Sequence, residues 1–127
     1  MAVKKAVATT RRTKSAEASV GIDTLTAIAQ VGWGDGGHDT STGDVNNPDP
    51  DATQAAGEFL VKDIENASVD GTNAVIEVVL SADEGIGKNI SSLALYDEDA
   101  DPVVFVNFSP KGKDQDTIIE IDLIEEH

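Results

Sequence analysis

The chain has 127 residues, carries 24 Asp and Glu against 9 Lys and Arg, and has a formal net charge of −15. It contains no cysteine, which excludes a disulfide framework and a thiolate metal site. Aromatic residues make up only 4%, so any core must rest on Val, Ile, Leu and Ala, and no apolar run approaches the ~20 residues of a membrane span.

Charge is unevenly placed. Residues 1–14 hold Lys4, Lys5, Arg11, Arg12 and Lys14 and no carboxylate, whereas all 24 carboxylates share the rest of the chain with four cations. A basic arm on an acidic body can dock on an acidic neighbour, or it can be a solvated terminus beside a surface kept soluble by charge. The body repels phosphate and anionic lipid, so neither nucleic acid nor membrane is an expected partner. The start is basic but lacks the apolar block of a signal peptide, and no Sec export is expected.

In chain order, residues 2–20 read as the arm, with a short helix in its later part stopped by Gly21. Thr24 to Trp33 alternates apolar and polar residues as a strand does, except where Ile28 breaks the alternation. Gly34 to Asp51 has almost nothing apolar and reads as a long polar surface loop, of a length that is commonly functional or mobile. Thr53 to Glu58 fits a helical turn, Phe59 to Glu65 a strand, and Val69 to Asn73 a turn. Ala74 to Leu80 is the strongest strand by β-propensity. After a Gly-containing connection, Ile90 to Phe108 reads as strand, acidic turn, strand, and Thr117 to Ile124 as a half-buried closing strand. The expectation is a mainly β (α+β) domain of about six strands in a compact antiparallel sheet or sandwich, with a long polar loop and a short N-terminal helix. The division is an arm at 1–20 and a β domain at 21–127.

Catalytic and cofactor motifs are poorly supported. Gly32-Trp33-Gly34-Asp35-Gly36-Gly37 fits G-x-G-x-x-G, but a Pro- and Asp-rich loop follows it where a dinucleotide site needs a helix. Gly85-Ile86-Gly87-Lys88-Asn89 lacks the Gly spacing and the Ser or Thr of a P-loop and reads as a turn. Asp97, Asp99 and Asp101 have the spacing that begins a calcium loop, yet Pro102 and Phe108 stand where that loop needs Gly and Glu. They are the single weak metal candidate, beside the plainer reading of a solvated hairpin tip. His38, among Asp35, Asp39 and Asp44, has only His127 for company and cannot assemble a zinc set. Neither enzyme activity nor a cofactor is expected.

Five segments nevertheless stand in a telling order. They are Gly34-Asp35-Gly36-Gly37 after a strand; Pro48-Asp49-Pro50 with Thr53 and Glu58; Ser68-Val69-Asp70 before the central strand; Ile90-Ser91-Ser92-Leu93-Ala94-Leu95-Tyr96-Asp97; and the acidic turn and Val-rich strand from Asp99 to Asn107. Over about residues 25–108 this resembles the phage tail-collar fibre family, whose domain fixes a tail fibre to a viral baseplate. Ala94 and Ala100 depart from it at places where the family usually has Gly, and the basic arm is not expected of it. Family members usually continue into a fibre shaft, so a chain ending after its closing strand is expected to be either a truncated fibre or a separate adaptor. The resemblance implies a structural virion protein, present in several copies in the tail or baseplate and in host cytoplasm during assembly, with the baseplate wedge and tail fibre as partners. The candidate interface residues are Lys4, Lys5, Arg11, Arg12, Trp33, Asp35, Pro48, Asp49, Pro50, Tyr96 and Asp97. Trp33 can be an interface anchor, although a lone Trp more often packs in a core. The alternatives are another virion subunit (neck, head decoration or tail terminator) and a non-viral calcium- or glycan-binding β module.

Overall fold

A computed structural model of the chain describes residues 3–21 and 25–125. Eight strands and one helix follow in the order β1 (Val3–Val7), α1 (Thr9–Ser19), β2 (Ile28–Gly34), β3 (Glu58–Asp63), β4 (Asn66–Asp70), β5 (Asn73–Leu80), β6 (Asn89–Asp97), β7 (Pro102–Gly112) and β8 (Ile119–Glu125). They form a five-stranded sheet, β1-β7-β6-β2-β3, and a three-stranded sheet, β4-β5-β8, with every pairing antiparallel. The mainly β architecture read from the sequence is the one observed.

Strand periodicity accounts for the layers. Side chains alternate across a strand, so Val31 and Trp33 of β2 and Leu93 and Leu95 of β6 point to one face of the large sheet. There they meet Ile76, Val78 and Leu80 of β5 and Ile119 of β8, and this is the main core. Ala94 and Tyr96 point the other way and join Phe105, Ala8 and Ala55 in a second, smaller cluster. The small sheet covers the first face; the helix N-terminus and the 35–57 loop cover part of the second.

Two strands exceed the six expected. β1 lies in the basic arm and is fixed by pairing with β7, from Val3 opposite Phe108 to Val7 opposite Val104. β4 falls where a turn was expected. It is exposed along its whole length, so no hydrophobic alternation marks it, and its strand character comes from the ladder to β5. The turn itself is confined to Asp70–Asn73, with Gly71 at φ +64°. The expected helical turn at 53–58 is not helical. A tight turn bonds the Glu58 N–H to the Ala55 carbonyl, and Glu58 already begins β3. β2 starts at Ile28, later than the expected Thr24, which lies outside the described residues. The broken alternation at Ile28 has a cause, because the register of β2 against β6 shifts between Ile28 and Gln30, a bulge.

α1 ends at Ser19, and the Gly21 N–H bonds back to Ala18 with Gly21 at φ +75°, the expected helix stop. None of its side chains is buried except Arg11. Packing against an apolar stripe therefore does not hold it, and its anchors must be polar.

Candidate functional site

The side of the large sheet that faces away from the small sheet collects most of the residues singled out in the sequence. Three devices build it.

The first is an ammonium clamp. The β6–β7 turn folds the Asp97 carboxylate inward: its Oδ1 accepts the N–H groups of Asp99 (2.9 Å) and Asp101 (3.1 Å). From α1, Lys14 Nζ lies 2.7 Å from Asp97, 3.2 Å from Asp99 and 2.8 Å from Asp101. The Asp97 side chain is only 1% exposed. Burial alone would raise its pKa, but the hydrogen bonds from Lys14 and from the Asp101 and Asp99 amides outweigh it and hold the carboxyl below its ordinary range. Lys14 shows the reverse balance: burial pulls its pKa down, the three carboxylates push harder, and the net shift is upward. The three acids of the weak metal candidate do converge, with ligand atoms within 4.8 Å of one another. The positive charge at their centre comes from the chain's own Lys14.

The second device ties the helix start to the Pro loop. Thr9 Oγ1 donates to Asp51 at 2.5 Å and the Thr9 N–H to the Pro50 carbonyl at 2.9 Å. Asp49 Oδ1 accepts the Asp51 N–H at 2.9 Å, so the Pro48–Pro50 segment closes as an Asx-type turn. The Ala8 N–H donates to the carbonyl of Val103, the extra residue where the β6–β7 register shifts. Arg11 reaches across to the Thr26 carbonyl at 2.6 Å.

The third device is close approach through glycine. Tyr96 donates its hydroxyl to the Glu58 carboxylate and accepts the Ala55 N–H at 3.2 Å. Burial and the Glu58 charge both raise the Tyr96 pKa. A Cβ on Gly32 would collide with that carboxylate and with the Tyr96 ring, so any side chain there must displace the pair. At the Gly34–Gly37 turn, the Gly36 N–H bonds Ala56 O (2.9 Å), Gly37 bonds Ser91 Oγ (2.9 Å), and Ser92 Oγ donates to Ala56 O (2.6 Å). Side chains at Gly34 and Gly37 would strike Ala56 and Ser91. The glycines that imitate a nucleotide motif thus serve backbone packing, and a polar loop follows them, not a helix.

The long loop is itself built. Residues 37–46 fold as a small hairpin, with a bridge between His38 and Val45 and with Asp39 capping Ser41 at 2.8 Å. His38 Nδ1 lies 2.7 Å from Ser91 Oγ, and Asn107 donates to the Asn46 carbonyl at 3.0 Å. Between this hairpin and the Pro loop lies a small cavity of about 230 Å³, edged by Asn46, Pro48, Gln54, Phe105 and Asn107.

Tyr96 and Asp97 lie at the centre of this face but are buried, and they shape it without presenting atoms to a partner. Pro48, Asp49 and Pro50 lie on its surface. Asp35 is half-buried, 3.7 Å from Lys88. Arg12 is exposed on α1, whereas Arg11 is 6% exposed and belongs to the scaffold. Lys4 and Lys5 are on β1, on the open edge of the large sheet. Trp33 is the clear correction among the interface candidates. It is fully buried between the sheets, where a tryptophan contributes core volume, and it offers no surface. His127 lies outside the described residues. Lys14, Glu58, Ser91 and Ser92 stand in the basic arm or the motif segments of the sequence, but none was singled out as a site residue. Lys14 had a usable signal, since it lies one helical turn after Arg11 on the same face.

Compared with known proteins, the chain matches no family model, no curated protein and no solved structure.

Proposed function

We propose that this chain is a structural protein of a tailed-phage virion, acting as a collar-type module that attaches tail fibres to the baseplate. The observation that carries the reading is the convergence of separate motif segments on one face. The Gly34–Gly37 turn, Glu58 and the Ile90–Asp97 segment are far apart in sequence, yet hydrogen bonds and glycine-permitted contacts draw them together, and the Pro48–Pro50 loop shares a small cavity with Gly36, Leu93 and Phe105. These belong to three of the five pieces that resemble the tail-collar family; a fourth, Asp99 to Asn107, joins the same face through Asn107, which donates to the Asn46 carbonyl, and the fifth, Ser68–Asp70, lies in β4 of the other sheet. A rigid β scaffold that displays a braced polar loop suits a mechanical attachment role. On this reading the exposed Pro loop and Arg12 contact neighbouring virion proteins, a baseplate wedge on one side and a fibre on the other, with several copies in each particle.

Immunogold electron microscopy of particles from the producing strain tests the reading, with antibody raised against this chain. Label clustered at the distal end of tails, where fibres emerge, is the expected result. Label at the neck or capsid would remove the fibre assignment and keep the virion role. Particles without label would sink both.

A further inference from the structure

The sandwich is closed along one side and open along the other. On the closed side the chain passes from β3 into β4 through Ile64 and Glu65. The Ile64 N–H bonds Ala29 of the large sheet (3.2 Å) and the Glu65 N–H bonds Glu77 of the small one (2.8 Å). On the open side the large sheet ends at β1 and the small sheet at β8, and no described strand joins them. A groove of about 660 Å³ runs between those edges, with Val104 and Val106 in its floor. Its walls are Val3 and Val7 of β1 and Ile124 of β8, each more than half exposed (55, 51 and 53%).

Among the described residues both walls carry unpaired backbone edges, and their charges are opposite. β1 bears Lys4 and Lys5; β8 bears Glu120 and Asp122, all exposed. Lysine on an edge strand normally keeps sheets from joining. Like charges facing across a strand pair are unfavourable and opposite charges favourable, so β1 on β1 and β8 on β8 are both disfavoured. Only β1 on β8 brings complementary edges together.

We propose that this open side is a self-association surface, on which the β1 edge of one copy pairs with the β8 edge of a second copy. Both edges flank the same groove, so a two-fold arrangement makes the contact twice. Each large sheet then runs on into the small sheet of the other copy, and the two apolar floors face each other across the axis. Lys5 and Asp122, which both line the groove, supply opposite charges at each junction. The net charge of −15 on each copy opposes association at long range, where salt screens it; the edge contacts act at close range. The proposal stands on these edges and this groove alone, independently of the fibre reading.

Sedimentation equilibrium of the full chain tests it, alongside Lys5→Glu, Asp122→Lys and the double variant. Both side chains are exposed, so urea unfolding of each variant, measured at a concentration low enough that every form is monomeric, is expected to match that of the wild type and to serve as the folding control. The wild type is expected to form a reversible dimer. Each single variant should weaken it about tenfold or more, since each junction loses an ion pair and gains a repulsion and the junction occurs twice. The charge-swapped double variant should recover most of the affinity. A wild type that stays monomeric up to about 1 mM, the weak end of the affinity scale, overturns the proposal and leaves the groove to a strand from a different protein. A dimer indifferent to both single variants, or one the double variant fails to restore, overturns the β1–β8 pairing.

Discussion

Lys14 and Asp97 are 83 residues apart in sequence, and their charged atoms meet at 2.7 Å. This contact joins a helix with almost no apolar face to the β6–β7 hairpin, whose turn buries the Asp97 carboxylate and leaves Asp99 and Asp101 at the surface. It also gives the acidic turn its cation from within the chain.

Removing that cation exposes its contribution. Lys14→Met leaves Asp97 buried beside two further carboxylates, and a charge-assisted hydrogen bond in such a setting is worth ~2 kcal/mol. Urea unfolding should show a loss of that order, whereas Lys4→Ala on the open edge should stay within about 0.5 kcal/mol of the wild type.

Acid should remove the same contribution. The folded pKa of Asp97 lies below its unfolded value, so its share of stability is complete above the unfolded pKa of about 3.9 and is lost as pH falls through the lowered folded value. Stability of the wild type minus that of Asp97→Asn, measured by urea titration at successive pH values, should be flat from neutral pH to about 5 and shrink below about 4. A difference that grows on acidification would contradict the clamp.

Gly32 is the tightest point of the Tyr96–Glu58 pair. Gly32→Ala forces its methyl group against the carboxylate and the ring, and overpacking of this kind costs about 1–3 kcal/mol. Combining it with Glu58→Ala removes the nearer of the two obstacles. The double variant should therefore lose less than the sum of the single losses, a coupling that a double-mutant cycle reads directly.

Ala100 holds φ at +64°, a conformation that costs a side-chain-bearing residue roughly 1–2 kcal/mol. Ala100→Gly relieves that strain at some cost in unfolded-state entropy. A rise in thermal midpoint corresponding to about 0.5–1 kcal/mol is expected.

How much of this was legible depended on what each segment buries. β5 was plain because it is a run of β-branched residues, Val75, Ile76, Val78 and Val79 among them, and β8 because Ile119, Ile121 and Leu123 alternate with exposed Glu120 and Asp122. The β6–β7 hairpin was plain because two apolar runs flank a cluster of aspartates. Even the fault in β2 was visible, since the irregular Ile28 marks the bulge. β4 buries nothing, and β1 contributes no core residue with its five positions, so neither carries a periodic signal and only a partner strand defines it. The candidate face was legible as separate motifs but not as one face. What joins them is contact at long sequence separation, such as Tyr96 with Glu58 and Ser92 with Ala56, and single-chain periodicity contains no trace of it.

The polar anchoring of α1 dictates an order of events in folding. An isolated helix of 11 residues is marginal in water, and this one has no apolar stripe with which to collapse early. Its main holding point, the Asp97–Asp101 turn, comes into being only when β6 and β7 have paired. Local hairpins therefore form first, and the helix settles only after a loop of some eighty residues has closed, the slow kind of contact. The amides of α1 should be the last to gain protection from hydrogen exchange during refolding and the first to surrender it when the protein begins to open.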